Sequence, residues 1–132
     1  MKISFVIPAY NEEDYLPKCL EAILQEKQKG KYDMEIIVVN NASTDSTRKV
    51  ALSYPGVIVV DEPKKGLTYA RQAGFLNSTG DIIANIDSDS ILTPDWLDTV
   101  MNNFTKNPKL VALSGPFIFH DLSLFANSLV RI

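Results

Sequence analysis

Apolar residues along the chain fall into short unbroken runs separated by stretches of helical spacing, an alternation that predicts an α/β domain on a mostly parallel sheet. The first run, Lys2 to Pro8, is rich in β-formers and reads as a strand. Between Glu12 and Lys27, the residues Tyr15, Cys19, Leu20, Ile23 and Leu24 share one side at helical spacing, which predicts a helix. Gln25 to Asp33 is polar and reads as a surface loop. Glu35 to Val39 (EIIVV) has the continuous apolar character of a strand covered on both faces.

Ser43 or Thr44 is placed to cap a helix running to about Ser53, and Pro55-Gly56 breaks it. A third strand follows at Val57 to Val60. The basic turn Pro63-Lys64-Lys65-Gly66 precedes a helix from Leu67 to about Ser78, which ends by Gly80. Asp81 to Ile86 is the fourth strand. Thr93-Pro94-Asp95 combines a cap, a proline and an acid at a helix start, and predicts a helix to about Lys106. A fifth strand is expected at Leu110 to Ser114 and a last helix from Leu122 to Ile132. No repeat or low-complexity tract interrupts the pattern, so residues 1–132 are expected to form a single domain.

Composition narrows the function classes. The 132 residues suffice for one real core. Thirteen basic against sixteen acidic side chains leave a net charge of −3, which argues against a nucleic-acid partner. Cys19 is the only cysteine; it offers neither a disulfide nor a cysteine metal cluster, and burial is its expected fate. No run approaches the ~20 apolar residues of a membrane span, and the start does not read as a signal peptide. A cytoplasmic location is expected, at the cytoplasmic face of a membrane if regions outside this chain supply an anchor.

Ligands of open parallel sheets bind at the carboxyl ends of the strands, and the unusual residues of this chain lie there. The first strand runs into Pro8-Ala9-Tyr10-Asn11-Glu12-Glu13, the second into Asn40-Asn41-Ala42-Ser43-Thr44-Asp45, the fourth into Asp87-Ser88-Asp89-Ser90. In an extended segment Asp87 and Asp89 project to one face. Two neighbouring carboxylates repel unless a cation lies between them, and Mg²⁺ or Mn²⁺ takes one or two carboxylates plus substrate phosphates. The alternative is that these acids solvate a turn. Asn40 and Asn41 either shape their turn or read a base edge with their amides. Tyr10 offers a flat face to a base; Glu12 or Glu13 offers an acceptor to ribose hydroxyls or caps a helix. Lys64 and Lys65 either meet phosphates or solvate their turn. Arg71, Trp96 and the single histidine, His120, have ordinary structural or surface readings beside functional ones.

As an ordered set these segments resemble the family 2 glycosyltransferases of GT-A fold. VIPAYNEED (Val6 to Asp14) is similar to the family's opening strand and loop. IIVVNNASTDST (Ile36 to Thr47) is similar to its second strand and Asp/Asn-rich turn. GLTYARQAGFLNSTGDIIANIDSDS (Gly66 to Ser90) is similar to its helix, Gly-Asp turn, strand and Asp-x-Asp motif, and TPDWL (Thr93 to Leu97) follows in order. The resemblance implies a Rossmann-like sheet flanked by helices, and transfer of a sugar from a nucleoside diphosphate-sugar to an acceptor hydroxyl of a saccharide, lipid or protein. It implies nucleotide-sugar contacts from Pro8, Ala9, Tyr10, Glu12, Glu13, Asn41, Lys65, Arg71, Asp87 and Ser88, and Mg²⁺ or Mn²⁺ at Asp87 and Asp89. Asn41 stands where many relatives use Asp against the base, which leaves the nucleoside open.

Relatives carry the acceptor site and catalytic base beyond this point. The chain is therefore expected to be truncated at its C-terminus, to hold no catalytic base of its own, and to associate with itself through an exposed apolar face, either the segment Leu110 to Ile118 or the last helix. Two rivals stand beside this reading. A nucleotidyltransferase would need a Gly-rich triphosphate loop, and Ala9 to Asp14 has no glycine. A non-catalytic nucleotide-binding module of the same fold would lack only the chemistry.

Overall fold

The computed structural model describes residues 1–115, which form two compact units, Met1–Pro94 and one beginning at Asp95. In the first, the strands β1 (Lys2–Ala9), β2 (Asp33–Asn40), β3 (Val57–Asp61) and β4 (Ile82–Asn85) make one sheet in the order β3-β2-β1-β4. All three pairings are parallel. The helices α1 (Leu16–Gln28), α2 (Thr47–Leu52) and α3 (Leu67–Leu76) form the connections. This is the α/β arrangement expected from the apolar runs.

The central positions of β1 and β2 explain their composition. Phe5 faces Ile36 and Val6 faces Ile37 across the ladder, and all four are fully buried. Alternate residues of a strand point to opposite faces, so a run buried throughout requires cover on both. On one face, Val6, Ile37 and Val39 form a cluster with Ala70 of α3, with Ala73, Val60 and Ile83 at its margin. The other face buries Ile3, Phe5, Ile7, Ile36 and Val38, and α1 buries Leu16, Cys19, Leu20 and Ile23. β3, at an edge, is only half-buried.

Helix starts depart from the sequence reading, and each departure has a local cause. α1 begins at Leu16, not Glu12. Residues 12–15 form a turn in which Glu12 O accepts the N–H groups of Tyr15 and Leu16, at 3.2 and 2.9 Å. Pro17, at the helix start, has no N–H to leave unpaired. Tyr15 therefore lies outside the helical stripe and is exposed. Neither Ser43 nor Thr44 caps α2, which begins at Thr47. The free N–H groups there are met by acids instead: Ser46 N–H donates to Glu13 Oε2 (2.7 Å) and Thr47 N–H to Asp45 Oδ1 (2.9 Å). Carboxylates suit the positive end of the helix dipole as well as the orphan donors.

A polar knot ties the opposite, N-terminal edge of the sheet. Glu35 of β2 accepts hydrogen bonds from Ser4 Oγ (2.6 Å), Thr79 N (2.6 Å) and Thr79 Oγ1 (2.7 Å), and pairs with Lys2 Nζ at 2.7 Å. Burial works against its charge, but the Lys2, Ser4 and Thr79 hydrogen bonds outweigh it and hold the carboxyl down at about 2. A depressed folded value means the stabilisation is fully present above the ordinary carboxyl value of 4.5 and drains away as the pH falls toward about 2. Glu35→Gln is expected to lower stability by about 2 kcal/mol at neutral pH, the scale of charged hydrogen bonds. It should also flatten the acid limb of the stability profile, as read by urea unfolding between pH 7 and 2. A variant with the wild-type acid limb would deny Glu35 this role.

In the second unit, α4 (Trp96–Lys106) begins two residues later than Pro94 suggests, with Asp95 at the cap position. Asp98 in its first turn and Lys106 in its last match the dipole. Leu110 to Ser114 does not form the expected strand. A short apolar run becomes a strand only by pairing; this one has no ladder partner among the described residues, and Val111 is 94% exposed. The last expected helix, His120, and residues 116–118 of the apolar segment lie outside the described residues.

Candidate functional site

Parallel strands all deliver their carboxyl ends to the same edge of the sheet. Here β1, β2 and β4 open there into the three polar loops picked out in the sequence. The loops and the start of α3 enclose a cleft of about 510 Å³ lined by Pro8, Ala9, Tyr10, Glu12, Asn41, Lys65, Gly66, Leu67, Ala70, Asp87, Ser88 and Asp89. Of the residues to which the resemblance gives nucleotide-sugar or metal contacts, all but Glu13 and Arg71 lie in this lining. Glu13 is spent on the α2 N-terminus, and Arg71 reaches Asp87 Oδ1 with Nη2 at 3.4 Å.

The first two loops are braced against each other by Asn11, whose φ of +52° is a conformation asparagine tolerates better than most residues. Its side-chain oxygen accepts the N–H groups of Thr44 (2.8 Å) and Asp45 (3.3 Å), and its own N–H donates to Ser43 Oγ at 3.1 Å. Glu12 N–H adds a bond to Thr47 Oγ1 at 2.8 Å. Ser43 and Thr44 are occupied here, which is why they do not cap α2. Ala42 between them is also left-handed, at φ +57°. Asn11 escaped the sequence reading; its one signal was an asparagine just past a strand end in a loop without glycine.

Asn41 is 4% exposed, and its amide is committed. Nδ2 donates to Glu62 O (3.0 Å) and Lys64 O (2.8 Å), while Oδ1 accepts Gly66 N–H at 2.8 Å. Both of its donors thus hold backbone carbonyls, while the residue itself lies in the cleft lining. Asn40 donates to Asp61 Oδ1 at 2.9 Å, and Asp61 also takes Arg48 Nε at 3.0 Å. Across the mouth, Lys65 Nζ lies 3.9 Å from the centre of the Tyr10 ring and donates to its hydroxyl at 2.7 Å. Lys64 Nζ covers Tyr69 in the same manner at 4.0 Å, away from the cleft lining.

Negative charge dominates the opposite wall. Asp87 and Asp89 are exposed on a turn closed by Ser90 N–H to Asp87 O (2.9 Å), and Ser88 between them is buried. Asp87 has Arg71 beside it, while Asp89 has no ion pair among the described residues. The Glu12 carboxyl is pushed above its ordinary value by burial first, then by the charges of Asp89 and Asp45. Burial, with the Asp89 and Asp87 charges, likewise drives the Cys19 thiol up to about 12, which makes it an inert core group as expected. The described residues contain no cluster of three or more His, Cys, Asp or Glu that would cage a metal. Two open carboxylates do fit Mg²⁺ or Mn²⁺, which complete their coordination with substrate phosphates and water rather than with an all-protein set.

Gly66, Leu67 and Ala70 also line the cleft; they belong to the Gly66–Gln72 segment, which by resemblance lies near the nucleotide, though the resemblance names none of the three singly. Leu67 and Ala70 stand three apart on the first turn of α3, a spacing that sets both on one side of the helix.

The family model described as glycosyl transferase family 2 matches residues 4–128. A dolichyl-phosphate beta-glucosyltransferase of Trichomonas vaginalis, ALG5D, is 36% identical over 126 residues, covering 86% of this chain and 38% of that protein. Among solved structures, the mannosyltransferase PcManGT of Pyrobaculum calidifontis, in complex with GDP-Man and Mn²⁺, is 25% identical. It matches 82% of this chain and 33% of its own, with a TM-score of 0.69. TarS of S. aureus, in complex with UDP, is 19% identical; its TM-score of 0.72 over 92% of this chain and 40% of its own speaks for the fold. The chain spans 17% and 39% of the length of two curated relatives it matches. Among the described residues, no helix is long and apolar enough to cross a membrane.

Proposed function

The chain belongs to glycosyl transferase family 2, and on that footing we propose that it is the donor-binding part of a glycosyltransferase, taking a nucleoside diphosphate-sugar together with Mg²⁺ or Mn²⁺. One observation carries this reading: the loops after β1, β2 and β4 meet in a single cleft, with open carboxylates on one wall and a Tyr–Lys pair on the other. The GDP-Man and Mn²⁺ of the mannosyltransferase complex support it.

In this assignment Tyr10 supplies the stacking face for the base, and Pro8 and Ala9 the floor beneath it. Glu12 accepts from ribose hydroxyls, Lys65 faces the phosphates, and Ser88 offers a hydroxyl between the two acids. Asp87 and Asp89 would hold the divalent ion, whose charge would neutralise the diphosphate and make it a better leaving group. The acceptor hydroxyl attacks the anomeric carbon, the bond from that carbon to the diphosphate oxygen breaks, and the configuration inverts. The hydroxyl proton passes to a base that none of the described residues is assigned to be.

Titration calorimetry with UDP and with GDP, each with and without Mn²⁺, tests the proposal. Metal-dependent binding of one nucleotide is the expected result, and it names the base. A folded sample that binds neither would defeat the donor-site reading.

A further inference from the structure

Beyond the donor site itself, the hydrogen bonds of Asn41 point to a division of labour within the cleft. Three polar groups of one short loop, Glu62 O, Lys64 O and Gly66 N–H, converge on a single amide that is almost wholly buried. Asn41 is in turn fixed at the end of β2, where its backbone N–H donates to Ala9 O at 2.8 Å. The loop carries Lys65, whose ammonium lies against Tyr10. Gly66 has a φ of +145° and accepts Ala70 N–H at 3.1 Å in the first turn of α3.

We propose that Asn41 is a positioning residue: it clamps the Glu62–Gly66 loop so that Lys65 sits over Tyr10, and it acts on the ligand through Lys65 rather than by touching the base. The chemistry of the amide accounts for the residue type. Only a group with two donors and one acceptor satisfies two carbonyls and an N–H together. A carboxylate at this position would turn lone pairs toward Glu62 O and Lys64 O, replacing two attractions by two repulsions inside a buried pocket. The loop would then lift, and the ammonium would leave the ring. Asparagine at 41 is thus matched to the path of this loop, and recognition of the base falls to other groups.

The inference rests on the donor-site reading for its effect on ligand, but its structural half can be tested without one. Methylene protons of Lys65 next to the Tyr10 ring take an upfield ring-current shift in the NMR spectrum. In Asn41→Asp that shift is expected to collapse while the remaining methyl spectrum holds. The same variant should bind the preferred nucleotide with Mn²⁺ about tenfold more weakly, the scale of a cation–π or charge contact. In a Lys65→Met background, Asn41→Asp should cost little more, because both changes remove one interaction. Asn41→Ser, which is too short to span the loop, gives the same readings if the acidic variant does not fold.

Persistence of the Lys65 shift in the Asn41 variants would overturn the proposal. So would an undiminished loss in the Lys65→Met background, or an exchange of preference between UDP and GDP, each of which marks direct contact with the base. Failure of the unaltered protein to bind either nucleotide would defeat the donor-site reading alone; the NMR shift then decides whether Asn41 positions Lys65.

Discussion

Asp89→Ala is expected to weaken metal-dependent nucleotide binding by at least about 100-fold, beyond the 10–100-fold typical of losing a partner that only supports a ligand, and to leave the melting temperature unchanged. The two halves of that expectation have separate causes. Asp89 is exposed and has no ion pair among the described residues, so its removal breaks nothing that holds the sheet. Its charge nonetheless adds to burial in pushing the neighbouring Glu12 carboxyl upward. Asp87 differs: truncating it also strands the Arg71 guanidinium, 3.4 Å away. Asp89→Ala is therefore the cleaner variant. Calorimetry with Mn²⁺ and the preferred nucleotide, beside a thermal melt of each protein, measures both halves. An unchanged affinity would remove Asp89 from the metal site, and a lowered melting temperature would give it a structural duty instead.

Gly74→Ala is expected to destabilise the first unit by about 2 kcal/mol, although alanine is the better helix former. On propensity alone the substitution would gain about 1 kcal/mol. A Cβ at this position, however, would overlap Val6 Cγ1 and crowd Val6 Cγ2 at 3.2 Å and Val39 Cγ2 at 3.3 Å. Val6 and Val39 are fully buried on the two central strands, and a β-branched side chain has little rotamer freedom with which to yield. The helix must rise instead. Ala70, fully buried in the same cluster, loses contact, and overpacking of this kind costs up to about 3 kcal/mol. Urea unfolding decides the sign. A stabilised variant would mean that α3 rides higher on the sheet than the structure places it.

Much of this fold was legible because buried parallel strands write themselves as unbroken apolar runs. EIIVV could be placed from composition alone, since β2 is covered on both faces. The clustering of polar loops at one sheet edge follows from topology, and so the cleft lining is largely legible in the sequence. What was hidden is the partner of each polar group. Nothing local distinguishes Glu13 at a helix N-terminus from Glu12 in the cleft one residue earlier. The bonds of Asn41 to residues 62–66 could not be foreseen, because its three partners lie more than 20 positions along the chain. Ser43 and Thr44 read as caps for the same reason: Asn11, 32 and 33 residues away, claims them. Leu110 to Ser114 failed in the opposite sense, as a strand-like run without a strand to pair with among the described residues.

The strand order has a bearing on how the molecule is made. β1 lies at the hinge of the sheet in time as well as in space, for its pairing with β2 spans about thirty residues and its pairing with β4 nearly eighty. Closing the larger loop is the slower event. A chain that has zipped β1 to β2 and β3 already owns Tyr10, Asn41 and Lys65, yet Asp87 and Asp89 arrive only when β4 docks. Under the proposed function, metal-dependent binding is therefore expected to return in a refolding experiment no earlier than the docking of β4.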